Sequence, residues 1–166
     1  MDALFQTQSN ELSTTTQKEK LFKDAERQWN TLSTEKGAPG RKVDFEIYKS
    51  ILYNLEIRKV YLDSKLSLEK FSSIVGTNTT YLSNAVNNYF GCNFKRLINS
   101  YRVVRAKELL EKAIELGSGS AAYRLGWMYE RGFLSEEPDY VKALEFYEKA
   151  ASLNNADGYC RVALYL

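Results

Sequence analysis

Histidine is missing from the 166-residue chain altogether, and proline, cysteine and tryptophan occur only twice each. Without histidine, the usual acid/base catalyst near neutral pH and the commonest transition-metal ligand are both gone. Two cysteines, Cys92 and Cys160, are too few for a disulfide framework or a cysteine-built zinc site. No catalytic residue, metal site or cofactor is therefore assigned, and an enzyme is not expected. No run approaches the roughly 18 apolar residues of a membrane span. The opening residues, Met1-Asp-Ala-Leu-Phe-Gln-Thr-Gln-Ser-Asn10, lack the basic stretch and apolar core of a secretory signal. The expected compartment is the cytoplasm, with unpaired thiols and no membrane partner.

What is present favours helix throughout. Ala, Leu, Glu and Lys fill periodic segments, and the two prolines, Pro39 and Pro138, stand beside turn-forming or acidic residues. The polar opening, with its Ser13-Thr-Thr-Thr16 run, reads as a frayed arm over residues 1 to about 16. Leu21, Phe22, Ala25, Trp29 and Leu32 recur at intervals of 3 or 4 and predict an amphipathic helix over residues 18–32. Glu35-Lys-Gly-Ala-Pro-Gly40 reads as a linker. Phe45, Ile47, Tyr48, Ile51, Leu52 and Leu55 predict a second helix from Val43 to about Val60, followed by an extended link.

Two short helices come next. Ser67 is suited to cap residues 68–75 and Gly76 to end them in the left-handed region. Thr77 or Asn78 can cap residues 79–90, closed by Gly91. Two helices separated by three or four residues with a glycine at the turn have the spacing of a helix-turn-helix. Asn93 can cap a long helix from Phe94 to Leu116, stopped by Gly117-Ser-Gly-Ser120. Further helices are predicted over residues 121–132 and 139–153 and from Asn155 onward.

The chain also repeats itself. A shift of 37 residues lays Val104-Arg-Ala-Lys-Glu-Leu-Leu-Glu-Lys-Ala113 on Val141-Lys-Ala-Leu-Glu-Phe-Tyr-Glu-Lys-Ala150. The register holds on to Arg124 over Arg161 and Leu125-Gly126 over Val162-Ala163. A fixed period of this size, filled with paired helices, signals an α/α solenoid. Ala106, Ala113, Gly126, Ala143, Ala150 and Ala163 would let the helices approach closely, while Leu125, Met128, Leu144 and Phe146 fill the seam. Tyr123, Trp127, Tyr140 and Tyr147 fall at packing positions of the same pattern, with a peptide-binding groove as the alternative reading.

Ala122-Tyr-Arg-Leu-Gly-Trp-Met-Tyr-Glu-Arg-Gly132 and Asp139-Tyr-Val-Lys-Ala-Leu-Glu-Phe-Tyr-Glu-Lys-Ala-Ala151 resemble a Sel1-like repeat, a relative of the tetratricopeptide repeat. The resemblance covers about one repeat with halves on either side, where at least three normally form a stable stack. It implies a solenoid unit used for protein contact. Residues 61–110, with Val75-Gly-Thr-Asn-Thr-Thr-Tyr-Leu-Ser83, Asn87-Asn-Tyr-Phe-Gly-Cys-Asn-Phe94 and Asn99-Ser-Tyr-Arg-Val-Val-Arg-Ala-Lys-Glu-Leu-Leu110, resemble the first half of an AraC-type DNA-binding domain. That family carries two helix-turn-helix units joined by a long helix. Here the repeat stands where the second unit would follow.

The resemblance implies that Thr79, Thr80, Ser83, Asn84 and Asn87 face the major groove of double-stranded DNA, and that Lys95, Arg96 and Arg102 hold phosphates. Residues 76–92 contain no charge at all, although positions such as Thr79 and Asn84 often carry Arg in the family. Asn can pair bidentately with adenine, but it releases no counterions, so affinity must come from the flanking basic residues. Tyr81, Leu82, Ala85, Val86, Tyr89 and Phe90 lie on the opposite stripe and are assigned to the core.

Charge separates the same segments. Residues 41–112 hold 13 Lys and Arg against 7 Asp and Glu, and residues 113–166 hold 5 against 8, so a total of +2 conceals +6 beside −3. A basic segment suits phosphate contact and an acidic one suits protein contact.

The expected architecture is all-α. Residues 1–40 form an arm with one helix, 41–112 an AraC-like helix-turn-helix domain, and 113–166 the Sel1-like repeat, joined through a shared long helix. The expected function is a DNA-binding transcriptional regulator or adaptor whose repeat recruits a protein partner or a second copy into a homodimer. The alternative is a protein-interaction module that keeps the helix-turn-helix scaffold without binding DNA.

Overall fold

The computed structural model describes residues 2–35, 42–135 and 137–166. Among the described residues eight α-helices follow one another: α1 (Asp2–Glu35), α2 (Lys42–Leu52), α3 (Leu68–Val75), α4 (Thr79–Phe90), α5 (Phe94–Glu115), α6 (Gly119–Glu130), α7 (Tyr140–Ser152) and α8 (Ala156–Tyr165). Among the described residues there is no strand, and the chain is all-α. Packing divides it into two units, Met1–Asn99 and Ser100–Leu166, with the division inside the continuous α5. The charge pattern and motifs put the corresponding boundary at residue 112, because they follow residue type; packing assigns the later turns of α5 by what they touch.

Most helix ends sit where side-chain caps place them. Ser67 accepts a hydrogen bond from the Lys70 amide at 3.1 Å and Asn78 from the Tyr81 amide at 2.8 Å. Asn93 does the same for Arg96 at 2.9 Å, opening α5. Gly76, at φ 82°, occupies the left-handed position that closes α3.

Two segments differ from expectation. The arm over residues 1 to about 16 is not frayed in this structure: α1 is helical from Asp2. Neither glycine nor proline occurs between residues 2 and 35, so a helix anchored at Ala25 and Trp29 has nothing to stop it propagating toward the N-terminus. The second helix is shorter than expected. It loosens into a π turn at Tyr53–Ile57, and a 3₁₀ turn at Val60–Leu62 follows. The buried Asn54 amide donates to the Ser50 carbonyl at 2.8 Å and accepts from Arg58 at 3.0 Å, competing with the helical ladder. Lys59, left-handed at φ 51°, then ends the run. The linker expected at Glu35-Lys-Gly-Ala-Pro-Gly40 lies, beyond Glu35, outside the described residues.

In the first unit, aromatic rings fasten α1 to α2 and α4. Trp29 lies 5.5 Å from Phe45, 5.6 Å from Tyr48 and 4.8 Å from Tyr89, centroid to centroid. Tyr48 in turn meets Phe90 at 5.6 Å and donates its hydroxyl to Gln28 at 2.9 Å. Leu82, Ala85 and Val86 of α4 are buried as assigned; Tyr81, Tyr89 and Phe90 are half-buried. Tyr81 donates its hydroxyl to Asp44 of α2.

In the second unit, α6, α7 and α8 pack around Leu125, Tyr129, Ala143 and Tyr147, with Leu110 and Ile114 of α5 against the same cluster. The small residues act as expected at Gly126. A Cβ there would stand 2.9 Å from two carbons of the Tyr147 ring and 3.0 Å from the Ala143 carbonyl. Trp127 and Tyr140 differ from their packing assignment: Trp127 borders an open groove and Tyr140 is exposed. Tyr147 is instead the central side chain, because it sits where α6, α7 and α8 converge.

Replacing Gly126 by Ala forces a methyl against a backbone carbonyl and a fully buried ring that cannot move aside. Gly126→Ala is expected to destabilise the second unit by about 1–3 kcal/mol, read by chemical unfolding followed by circular dichroism.

Candidate functional site

Two surfaces carry the candidate residues, one in each unit. In the first unit α4 buries Leu82, Ala85 and Val86, which turns Thr80, Asn84, Asn87 and Asn88 outward at helical spacing, with Thr79 and Ser83 half-buried at the margin of that face. Five of the expected groove-facing residues thus share one side of one helix. α3 precedes it, and the connection is only Gly76-Thr-Asn78. The entry to α3 is fixed by Asp63, which accepts from the Lys65 amide at 2.8 Å and pairs with Lys70. The Lys70 hydrogen bond, then that of the Lys65 amide, holds the Asp63 carboxyl below its ordinary pKa.

Of the expected phosphate contacts, Lys95 and Arg96 are exposed in the first turn of α5 and belong to the first unit. Neither makes an ion pair among the described residues. Arg102 is half-buried and belongs to the second unit, so it is not grouped with the α4 face. Arg105 and Lys107, part of the same basic run, bond along their own helix to Glu108 at 2.8 Å and Glu111 at 3.7 Å. Lys107 also lies 6.0 Å from the Tyr129 ring, whose hydroxyl raises the ammonium pKa. Along residues 95–107, Lys95 and Arg96 therefore stand free of ion pairs among the described residues, while Arg105 and Lys107 are engaged on their own helix.

The second surface is a groove of about 950 Å³ between α5 and α6. Ala106, Leu109 and Leu110 line one side; Tyr123, Arg124 and Trp127 line the other. Behind it, the Tyr147 hydroxyl donates to Glu130, and Glu130 also accepts from Arg161 of α8 at 3.3 Å. Arg161 lies over the Tyr147 ring at 5.8 Å. Burial first, and the Glu130 carboxylate second, push the Tyr147 phenol well above its ordinary pKa. Arg161 is pushed up as well, foremost by its hydrogen bond with Tyr123.

Residues 103–118 and 119–155 match the Sel1 repeat. The first Sel1 stretch covers the later turns of α5 and the turn after it; the second covers α6, α7 and the turn that leads into α8. No curated protein and no solved structure matched the chain. The Sel1 match begins inside the span that resembles the AraC-type domain, so α5 is claimed by both patterns. The two matches fall within the second unit, and a Sel1 repeat is a protein-interaction repeat. Among the described residues no cluster of acidic or cysteine side chains is placed to hold a metal ion, and no helix is long and apolar enough to cross a membrane.

Sequence reasoning missed the Tyr147–Glu130–Arg161 network; of the four aromatics for which a peptide groove was the alternative, Tyr123 and Trp127 line the groove. The signal was there in the 37-residue shift, which pairs Arg124 with Arg161 but sets the neutral Asn93 at the register of Glu130.

The Tyr147 phenol gives a pH dependence with a definite sign. Its folded pKa is raised, so the folded chain keeps a proton that the unfolded chain loses near its ordinary value. The contribution of Tyr147 to stability is full below about pH 10 and falls as pH rises beyond it. Urea unfolding at about pH 9 and about pH 11 should show this decline, and Tyr147→Phe should flatten it; Tyr48 and Tyr165, raised by burial, supply the remainder.

Proposed function

We propose that the chain is a DNA-binding transcriptional regulator or adaptor: α4 enters the major groove of duplex DNA, and the Sel1 module engages a protein partner. The observation that carries this reading is the outward face of α4. Thr80, Asn84 and Asn87 stand in a line with Ser83 and Thr79 beside them, on a helix whose other side is core. Asn at 84 and 87 supplies a donor and an acceptor in the geometry that reads adenine, and the hydroxyls of Thr79, Thr80 and Ser83 take base edges or phosphate. Lys95 and Arg96 supply the charge that α4 lacks.

One helix-turn-helix buries little DNA, so binding by a single copy is weak, and specificity calls for a homodimer or a second protein on the site. Arg102 is retained as a further phosphate contact on the AraC-type pattern alone. The chain works by binding and not by catalysis, since it has neither histidine nor a pair of carboxylates in an apolar setting. Cys92 and Cys160 are both free, which suits a reducing cytoplasm.

A second reading is favoured by the same uncharged face: a helix with no cation between residues 76 and 92 is also suited to a protein surface. Titration of labelled duplex at rising salt separates the two. The DNA reading expects binding at about 50 mM salt whose log–log slope drops by roughly 2 when Lys95→Ala and Arg96→Ala are combined. Asn84→Ala with Asn87→Ala should flatten sequence preference and leave that slope unchanged. Absence of binding at low salt, or a slope indifferent to Lys95 and Arg96, leaves the protein-contact reading.

A further inference from the structure

By the 37-residue shift, α5 holds in one repeat the place that α7 holds in the next, and α6 corresponds to α8. The inner side of α7 is sealed. Ala143, Tyr147 and Ala150 are each 0% exposed, with Gly126 of α6 against the first two, and Phe146 stacks on Tyr129 at 5.5 Å. The equivalent side of α5 is open. Ala106, Leu110 and Ala113 are only half-buried, and Leu109, the counterpart of Phe146, is 51% exposed. Ala106, Leu109 and Leu110 line the groove.

The helix that would seal α5 by this register is residues 82–93. Those residues are the later turns of α4 and the turn after it, and their Leu82, Ala85 and Val86 are buried in the first unit. The repeat thus has a seat whose own occupant is committed elsewhere.

Arg124 shows what the occupant must carry. Its counterpart Arg161 pairs with Glu130, the last residue of the preceding outer helix, and covers Tyr147. Arg124 lines the groove with its counterpart ring position taken by Leu110, is exposed, and has no hydrogen bond or ion pair among the described residues. The residue at the Glu130 register is the neutral Asn93, which caps α5. Arg131, 5.8 Å over the Trp127 ring, adds a second cation near the same edge.

We propose that this groove is the docking seat for an amphipathic helix of another protein, which completes the repeat in trans. The partner helix presents small and large apolar residues in the pattern of α6, Ala122, Leu125, Gly126 and Tyr129, and follows them with a carboxylate that pairs with Arg124 as Glu130 pairs with Arg161. Helix-in-groove recognition of this kind reads anchors at i, i+3, i+4 and i+7. Leu110 is smaller than Tyr147, so the partner needs alanine rather than glycine at the close approach. The inference rests on the second unit being a protein-contact module and is independent of DNA reading.

The probe is a labelled peptide of residues 118–131, the chain's own outer helix carrying Gly126→Ala, titrated into the full chain and followed by fluorescence anisotropy. Saturable one-to-one binding is expected. Arg124→Glu, an exposed position whose fold is checked by circular dichroism, should weaken it about tenfold. A peptide carrying Glu130→Arg should recover affinity for the Arg124→Glu chain. No saturable binding, or equal affinity for the wild-type and Arg124→Glu chains, overturns the proposal. So does self-association in sedimentation that Arg124→Glu abolishes, which would seat a second copy in the groove instead of another protein.

Discussion

The second unit depends on one close approach. Gly126 lets α6 lie directly on the Tyr147 ring, and that ring, once buried, brings its hydroxyl to Glu130. Glu130 is then held where Arg161 of the next helix can reach it. A single missing side chain therefore sets the distance between two helices, the burial of an aromatic group and the ion pair that joins a third. Tyr123 at 5.5 Å and Tyr165 at 6.1 Å from Tyr147 complete a ring cluster that no single helix could form. Breaking the contact at Gly126 removes the geometric basis for all of these.

The first unit is held differently. Its helices meet through large rings, with Trp29 as the common neighbour of Phe45, Tyr48 and Tyr89. Rings tolerate several tilts at similar energy, whereas a glycine contact tolerates one spacing. The orientation of α4 is set by Leu82, Ala85 and Val86, three residues whose spacing leaves Thr80, Asn84 and Asn87 outside.

The fold was legible where local chemistry decides it. Ser67, Asn78, Asn93 and Asp139 mark helix starts because each side chain accepts a bond from an amide three residues on. Gly76 and Gly91 mark ends because the left-handed region excludes most other residues. The π turn at Tyr53–Ile57 was not legible, since it depends on Asn54 being buried, a tertiary fact. Charge was misleading for a similar reason. Counting cations along residues 95–107 makes one basic patch, but Arg105 and Lys107 are engaged by acids one turn away on their own helix. Only Lys95 and Arg96 remain exposed beside the helix that would use them.

The overlap of two patterns on α5 is the point at which sequence and packing say different things, and the difference has a physical origin. A helix residue can bury its side chain against only one neighbour. The register of the repeat asks residues 82–93 to cover Ala106 and Leu110; the register of the helix-turn-helix asks the same residues to form α4 and its closing turn. Leu82, Ala85 and Val86 are buried in the first unit, so the helix-turn-helix takes them. What the repeat loses is a wall of its own core, and apolar residues such as Leu109 stay in contact with water as a result. Exposed apolar surface framed by cations is where association gains most from a partner that brings both a hydrophobic face and a carboxylate. The open groove is thus what the repeat is left with when that stretch of chain is built into the first unit.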